Sequence, residues 1–165
     1  MEQTTTDPGF SALLGEAARP KHLYGVWDVE VLDGGLVRLG TADIRSKDLG
    51  RFLRGCERVV VLAATLGAQA DGLLARLMHS DIARAVEADR YFSRLIESYV
   101  SEVQAGLCNQ GKRYSPGYGD FSLHHQKDIL AMLGGEKIGL YLTDSYMLVP
   151  SKSITAFFPL RQKGR

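Results

Sequence analysis

The strongest constraint on the fold is a continuous apolar run at residues 59–64, which reads Val-Val-Val-Leu-Ala-Ala. A short run that is apolar at every position, and not only at alternate ones, is typical of a strand covered on both faces. β-Branched residues lead the run and a Thr-Leu-Gly turn follows it, which favours a strand. We therefore expect a buried central strand.

The other predicted strands include a clear hairpin. Imperfectly alternating apolar residues over 24–32 lead into Asp33-Gly34-Gly35, which is typical of a tight hairpin turn, and then into a second strand over 36–39. Later strands are predicted over the segments 138–143, 146–148 and 153–158. Hairpin strands interleaved with helices favour the α+β class, in which helices pack on a mainly antiparallel sheet.

Apolar residues with helical spacing predict five helices, over residues 10–18, 47–54, 68–77, 82–107 and 123–133. Ser46 is placed to cap the second helix, and Gly134 with Gly135 is placed to end the last. No linker or internal repeat divides the chain. Residues 10–165 are therefore expected to form a single domain after a flexible N-terminal tail over residues 1–9.

Composition excludes several functional classes. With a net charge of +1 over 165 residues, the chain has no basic excess for general nucleic-acid binding. Cys56 and Cys108 lie far apart without the spacing of a zinc site, which indicates reduced thiols and no metal centre. The N-terminus does not resemble a signal peptide, and no apolar run approaches the ~20 residues that cross a bilayer. The sequence predicts a cytoplasmic protein without a membrane segment.

Residues 113–120, which read Arg-Tyr-Ser-Pro-Gly-Tyr-Gly-Asp, carry the clearest chemical content. Pro116 and Gly117 favour a preset turn whose backbone amides lie close to its surface. Arg113 brings a permanent cation with a planar fork of donors, which suits a carboxylate. Tyr118 offers its ring as an apolar wall. Local chemistry alone therefore predicts a ligand-binding loop of unknown specificity.

This loop is followed by Leu142-Thr-Asp-Ser145 and Pro150-Ser-Lys-Ser153, and the ordered set resembles the activation domain of vitamin B12-dependent methionine synthase. The resemblance is close over residues 113–158 and fainter over the preceding helix. In that family the domain binds S-adenosylmethionine and presents its methyl group to the cobalt of an inactivated cobalamin. The resemblance implies a twisted, mainly antiparallel sheet with flanking helices in a single curved domain.

The resemblance also implies a set of ligand-binding residues. Arg113 would contact the amino-acid end of S-adenosylmethionine, Gly117 would allow close approach of the backbone, and Tyr118 would supply a ring wall. The family has an aromatic pair beside the cofactor, with tyrosine where this chain has Phe158, so one hydroxyl group is missing here. The complete set of candidates is Arg113, Pro116, Gly117, Tyr118, Phe157 and Phe158.

Three acidic residues near this set are expected to have structural roles. Asp120 could accept from the ammonium group of a ligand or cap the helix predicted over residues 123–133, and we expect the cap. Asp89 and Glu97 lie two turns apart on one helical face, and acids on such a face need partners. We expect them to accept hydrogen bonds from backbone amides or from a cation such as Arg113.

Other polar positions have less definite assignments. His124 and His125 are adjacent, so on a helix they point about 100° apart and cannot form a metal site by themselves. His124 and Lys127 match family positions that follow the motif. They would face the corrinoid or the partner, or else lie at the surface, which is the placement that we expect. Asp28 is the candidate for an acidic ligand contact that the family has near its N-terminus.

The resemblance leads to a specific functional prediction. The chain would be a stand-alone reactivation module, an accessory component that binds S-adenosylmethionine and donates its methyl group to reduced cobalamin on a partner methionine synthase or other corrinoid protein. No catalytic acid or base is expected, and a flavodoxin-like or iron–sulfur reductant would supply the electron. The sequence has no Asp-x-His-x-x-Gly cobalamin-binding motif. The alternative is a non-catalytic protein that binds S-adenosylmethionine or a related small molecule and regulates a partner.

Overall fold

A five-stranded antiparallel sheet organises the chain. The computed structural model describes residues 7–107 and 111–160. The strands are β1 (Lys21–Leu32), β2 (Leu36–Leu39), β3 (Ala42–Arg45), β4 (Arg58–Thr65), β5 (Tyr141–Leu142), β6 (Leu148–Val149) and β7 (Ser153–Pro159). The main sheet has the order β3-β2-β1-β4-β7, and β5 and β6 form a separate short hairpin. Strand β1 pairs with β4 through residues 21–28 and with β2 through residues 29–32, so the long strand carries the curl of the sheet.

Helices cover both faces of this sheet. They are α1 (Pro8–Ala17), α2 (Lys47–Phe52), α3 (Ala68–Ser80), α4 (Ile82–Gly106) and α5 (Gln126–Leu133), with single 3₁₀ turns at Leu123–His125 and Gly135–Ile138. One core cluster contains side chains of α1, α3 and α4, and the other contains side chains of α2 and α5. The predicted α+β class with a mainly antiparallel sheet and flanking helices is therefore confirmed.

Strand β4 lies between these two clusters. Side chains alternate across a strand, so Val60 and Leu62 enter the cluster beneath α3 and α4. Val59 and Val61 enter the opposite cluster. Residues 59–65 of β4 are all buried, which confirms the prediction of a strand covered on both faces and explains why the run carries no polar alternation.

Local signals place most helix ends. The Ser46 hydroxyl accepts a hydrogen bond from the amide of Leu49, which confirms the predicted cap of α2. Gly134 adopts a left-handed conformation (φ 72°) and ends α5, as expected. Helix α1 begins at Pro8, with Asp7 as its cap, so the chain is already helical two residues before the predicted start. Residues 1–6 of the predicted tail lie outside the described residues.

The segment 138–149 departs from the sequence prediction. The strands expected over 138–143 and 146–148 shrink to the two-residue strands β5 and β6. A 3₁₀ turn occupies Gly135–Ile138, and Gly139 reverses the chain with φ 77°. Tyr146 (φ 63°) then closes a turn with Thr143. The amides of Tyr146 and Met147 donate hydrogen bonds to Thr143 and hold this turn. The apolar pattern here reflects packing of a turn-rich segment on α5 and not an extended strand.

None of the helices in the described part of the chain combines the length and apolar character that crossing a bilayer requires.

The central position of β4 generates a stability prediction. Leu62 is fully buried, and truncation to alanine leaves a cavity that its neighbours cannot fill. We expect Leu62→Ala to lower the free energy of unfolding by about 2–5 kcal/mol, measured by urea denaturation. Val26→Ala on β1 is the matched control, because its side chain is 40% exposed, and it should cost roughly 1 kcal/mol or less. Equal losses in the two variants would contradict this account of the core.

Candidate functional site

The segment 113–120 is attached to the outer edge of the sheet. Tyr114 and Phe157 of β7 exchange two backbone hydrogen bonds, of 2.9 and 2.8 Å. The ring of Tyr114 is parallel to the ring of Phe121, and their centroids lie 6.1 Å apart. Both rings lie on the face of the sheet that α5 covers. Neighbouring side chains alternate in such a bridge, so Arg113 and Ser115 point to the other face, towards α4.

Three side chains of α4 hold Arg113. Its Nη2 donates to a carboxylate oxygen of Glu97 at 2.6 Å, and its Nη1 donates to Ser101 at 3.0 Å and to Gln104 at 3.1 Å. These contacts use three of its five N–H donors. The side chain of Arg113 is 20% exposed, and that of Glu97 is 60% exposed. The guanidinium is therefore held in a fixed orientation with donors remaining for a further partner.

A cleft of about 380 Å³ opens beside this ion pair. Arg113 and Tyr118 both line it, so the structure brings together the two residues with the clearest predicted chemistry. Ile154 of β7 adds an apolar contact, and Tyr118 is 55% exposed at the surface. The complete lining is Glu97, Gly111, Lys112, Arg113, Ser115, Tyr118 and Ile154. We call this feature the Arg113 cleft.

The turn that presents Tyr118 is tightly bonded. The Gly117 amide donates to the Phe121 carbonyl at 2.7 Å, and the Phe121 amide donates to the Tyr118 carbonyl at 2.9 Å. Gly117 has φ 97°, which disfavours any side chain there. Pro116 is buried and is not among the residues that line the cleft. Pro116 and Gly117 therefore shape the turn, and a direct contact of either with a ligand stays a prediction.

Asp120 joins this turn to α2. Its carboxylate accepts from the Ser46 hydroxyl at 2.5 Å and from the amides of Lys47 and Asp48 at 2.8 and 3.1 Å. The carboxylate of Asp48 in turn accepts from the Asp120 amide at 2.9 Å. The prediction that Asp120 caps the helix near Leu123 is therefore wrong, because the carboxylate caps α2, more than seventy residues earlier in the chain.

The structure places Phe157 and Phe158 in the core. Both side chains are fully buried and, being neighbours in a strand, they point to opposite faces of the sheet. Phe157 packs edge-on against Phe121 at 5.4 Å, and Phe158 lies in the cluster beneath α4. Neither ring lines the Arg113 cleft. The implied aromatic contact with a ligand therefore has no support in this arrangement, and the missing hydroxyl at 158 suits an apolar core.

Two acidic residues of α4, Glu97 and Asp89, have cationic partners. Glu97 bonds to Arg113, as expected, and Asp89 accepts from Lys152 at 2.7 Å. Sequence reasoning missed Ser101 and Gln104. With Glu97 they occupy positions i, i+4 and i+7 of one helical face, and that spacing was the available signal for a polar stripe.

The remaining candidates lie elsewhere. The ring of His124 stacks on Tyr146 at 4.8 Å, and His125 lies 3.4 Å from Asp128. Asp28 is exposed on β1 and does not line the Arg113 cleft. Within residues 7–107 and 111–160, no three His, Cys, Asp or Glu side chains converge as a metal site would require.

Comparison with solved structures relates this fold to a known domain. The crystal structure of the MetH reactivation domain bound to AdoHcy matches with a TM-score of 0.60 and 15% sequence identity. The match covers 92% of this chain and 61% of that chain, so the chain spans less than two thirds of the structure it matches. No family model and no curated protein sequence matches the chain. At this identity the comparison establishes the fold, which is the fold that the sequence resemblance implied.

The bonds of Asp120 generate a pH prediction. The Ser46 hydroxyl, followed by the amides of residues 48 and 47, holds the pKa of Asp120 below its ordinary value of 3.8. Folding therefore favours the carboxylate. Its stabilising contribution is complete above the unfolded-state pKa, and it is lost as the pH falls through the lower folded-state pKa.

We expect Asp120→Asn to lower the urea midpoint at pH 7 and to reduce the difference from wild type below about pH 4, measured by denaturation across pH. Asp28→Asn is the control, since Asp28 is an exposed carboxylate with no ion-pair partner among the described residues. That variant should follow the wild-type profile. A constant difference between Asp120→Asn and wild type at every pH would argue against this assignment.

Proposed function

We propose that the Arg113 cleft binds S-adenosylmethionine and that the chain presents the methyl group of this ligand to reduced cobalamin on a corrinoid-binding methyltransferase. The observation that carries the proposal is the convergence of Arg113, Glu97 and Tyr118 on one cleft, in a fold shared with a domain solved with AdoHcy. AdoHcy is the product that remains when S-adenosylmethionine gives up its methyl group.

The charges of the cleft suit the amino-acid end of such a ligand. That end carries a carboxylate and an ammonium group side by side. Arg113 has two N–H donors left for the carboxylate, and the exposed carboxylate of Glu97 can accept from the ammonium. Because α4 already fixes Arg113, little side-chain entropy is lost when the ligand binds.

The size and the walls of the cleft suit the rest of the ligand. A volume of about 380 Å³ lies within the roughly 300–1,000 Å³ typical of small-molecule sites. Ile154 supplies an aliphatic surface, and the ring of Tyr118 can cover an apolar part of the ligand from the solvent side.

The role of the chain in the reaction is to bind and orient. Reduced cobalamin on its carrier would supply the nucleophile that accepts the methyl group, and the sulfur of the ligand would keep the electron pair of the broken bond. Arg113 and Glu97 anchor the amino-acid end, and the turn at Tyr118 sets the direction of the sulfonium. No proton is transferred in this exchange, so no residue of the cleft needs to act as an acid or base.

The reaction requires other components. We propose that the corrinoid is carried by a methionine synthase-like protein and that a flavodoxin-like or iron–sulfur protein supplies the electron, in the cytoplasm. A chain that binds S-adenosylmethionine without transferring its methyl group would instead act as a sensor, and the two experiments below separate these functions.

The first experiment measures ligand affinity. Arg113→Lys keeps the positive charge but removes the planar fork, so calorimetry should give at least roughly tenfold weaker binding of S-adenosylmethionine. Arg94→Lys is the matched control, because Arg94 is an exposed arginine of α4 outside the cleft, and it should bind as wild type does. Unchanged affinity in a folded Arg113→Lys variant would contradict the assignment of S-adenosylmethionine binding to this cleft.

The second experiment measures transfer. The chain is mixed with a candidate corrinoid protein, a reductant and S-adenosylmethionine labelled in its methyl group, and label on cobalamin is followed together with AdoHcy. We expect transfer that depends on the chain, with a slower rate for Tyr118→Ala than for Tyr118→Phe, which keeps the ring. Tight ligand binding without transfer to any corrinoid carrier would instead favour the sensor.

A further inference from the structure

A second cleft, of about 660 Å³, lies between the β1–β2 turn and the turn that follows α2. It shares no lining residue with the first cleft. Glycines form both of its walls, with Gly34 and Gly35 on one side and Gly50 and Gly55 on the other. A Cβ added at Gly34 or Gly55 would meet no atom within 4 Å, so the backbone there is open to a bound molecule.

The wall formed by the β1–β2 turn approaches the start of α2 closely at Gly35. A Cβ at Gly35 would lie 2.6 Å from Cγ of Lys47 and 3.0 Å from its backbone nitrogen. Gly35 has φ 83°, and its carbonyl accepts from the Ser46 amide at 2.7 Å. The glycine turn therefore packs directly on Lys47, the first residue of α2, and the side chain of Lys47 lines the cleft.

Three cationic side chains of α2 and the turn after it line this cleft. Lys47, Arg51 and Arg54 have the spacing i, i+4 and i+7, which puts them on one side of a helix and of the turn that extends it. The other side of α2 is apolar, and Leu49 is buried in the core. Asp33 is the single carboxylate in the lining, so the cleft carries an excess of positive charge.

This excess is partly neutralised within the chain, because Arg51 interacts with the carboxylates of Asp48 and Asp120. Arg51 lies 3.3 Å from Asp48, and in the described ranges neither Lys47 nor Arg54 has an ion-pair partner. Like charges on one face of a short helix repel one another, and an anion between them relieves that repulsion. Phosphate matches the arginine fork and the point charge of lysine, and its oxygens can approach a glycine backbone closely.

We infer that this second cleft binds a small molecule bearing phosphate groups, held by Lys47, Arg51 and Arg54. The site is independent of the S-adenosylmethionine assignment, because it uses other residues and other chemistry. Inorganic pyrophosphate is the simplest probe with more than one phosphate.

The experiment is a calorimetric titration of the full chain with pyrophosphate at constant ionic strength. The double variant Lys47→Gln/Arg54→Gln should bind roughly tenfold more weakly than wild type, because it removes two of the three contacts. Glutamine keeps Cγ at position 47, so the contact with Gly35 survives, and the backbone amide that Asp120 accepts from is unchanged. Arg51 is left intact because it contacts Asp48.

The matched control is Arg90→Gln/Arg94→Gln on α4, which removes the same charge at two arginines outside the lining of this cleft. It should bind pyrophosphate as wild type does, and Lys47→Arg/Arg54→Lys should retain binding. Failure of wild type to bind, or equal weakening in the α4 control, would overturn the proposal. Tighter binding to vesicles carrying phosphatidic acid than to pyrophosphate would also overturn it, since the ligand would then be a lipid headgroup.

Discussion

The backbone pairing of Tyr114 with Phe157 is the contact on which the site depends. It attaches the loop to β7, the edge strand of the sheet, and it fixes which side chains face α4. A shift of one residue would turn Arg113 towards α5 and bring the ring of Tyr114 to the cleft. The buried ring of Phe157 resists such a shift, because it packs against Phe121 on the opposite face. Phe157, which the resemblance implies as a ligand contact, therefore contributes by setting the register of the loop.

The far end of the same loop is held by a reciprocal exchange of hydrogen bonds. Asp120 accepts from the start of α2, and Asp48 accepts from the amide of Asp120. A Cβ added at Gly119, the neighbour of Asp120, would clash with the carboxylate of Asp48. The loop is thus fixed at both ends by layers of the fold that are distant in sequence, so the positions of Arg113 and Tyr118 follow from the whole domain and not from the local turn.

The sequence predicted the features that depend on local pattern. The buried run of β4, the Ser46 cap and the glycine end of α5 each follow from residues within one turn or one strand. The helix that Asp120 caps could not be predicted in this way, because a carboxylate after a turn can cap any helix that the tertiary fold brings near. Likewise, strand alternation puts Phe157 and Phe158 on opposite faces, but it does not reveal that helices cover both faces at that point.

In the function proposed above, the Arg113 cleft combines an ordered cation with an open mouth, since Glu97 and Tyr118 are each more than half exposed. The guanidinium of Arg113 is mostly enclosed and is held by α4, whereas Tyr118 is more than half exposed. A ligand carboxylate bound to Arg113 would lie beside a mostly enclosed guanidinium, and hydrogen bonds between charged groups are stronger there than in bulk water. Its other end would remain accessible to a large partner. An enzyme that completes its reaction alone gains from closing such a cleft, since water competes for the reactive group. A domain that hands its methyl group to a cofactor held elsewhere needs an open mouth, and the incoming partner would complete the enclosure.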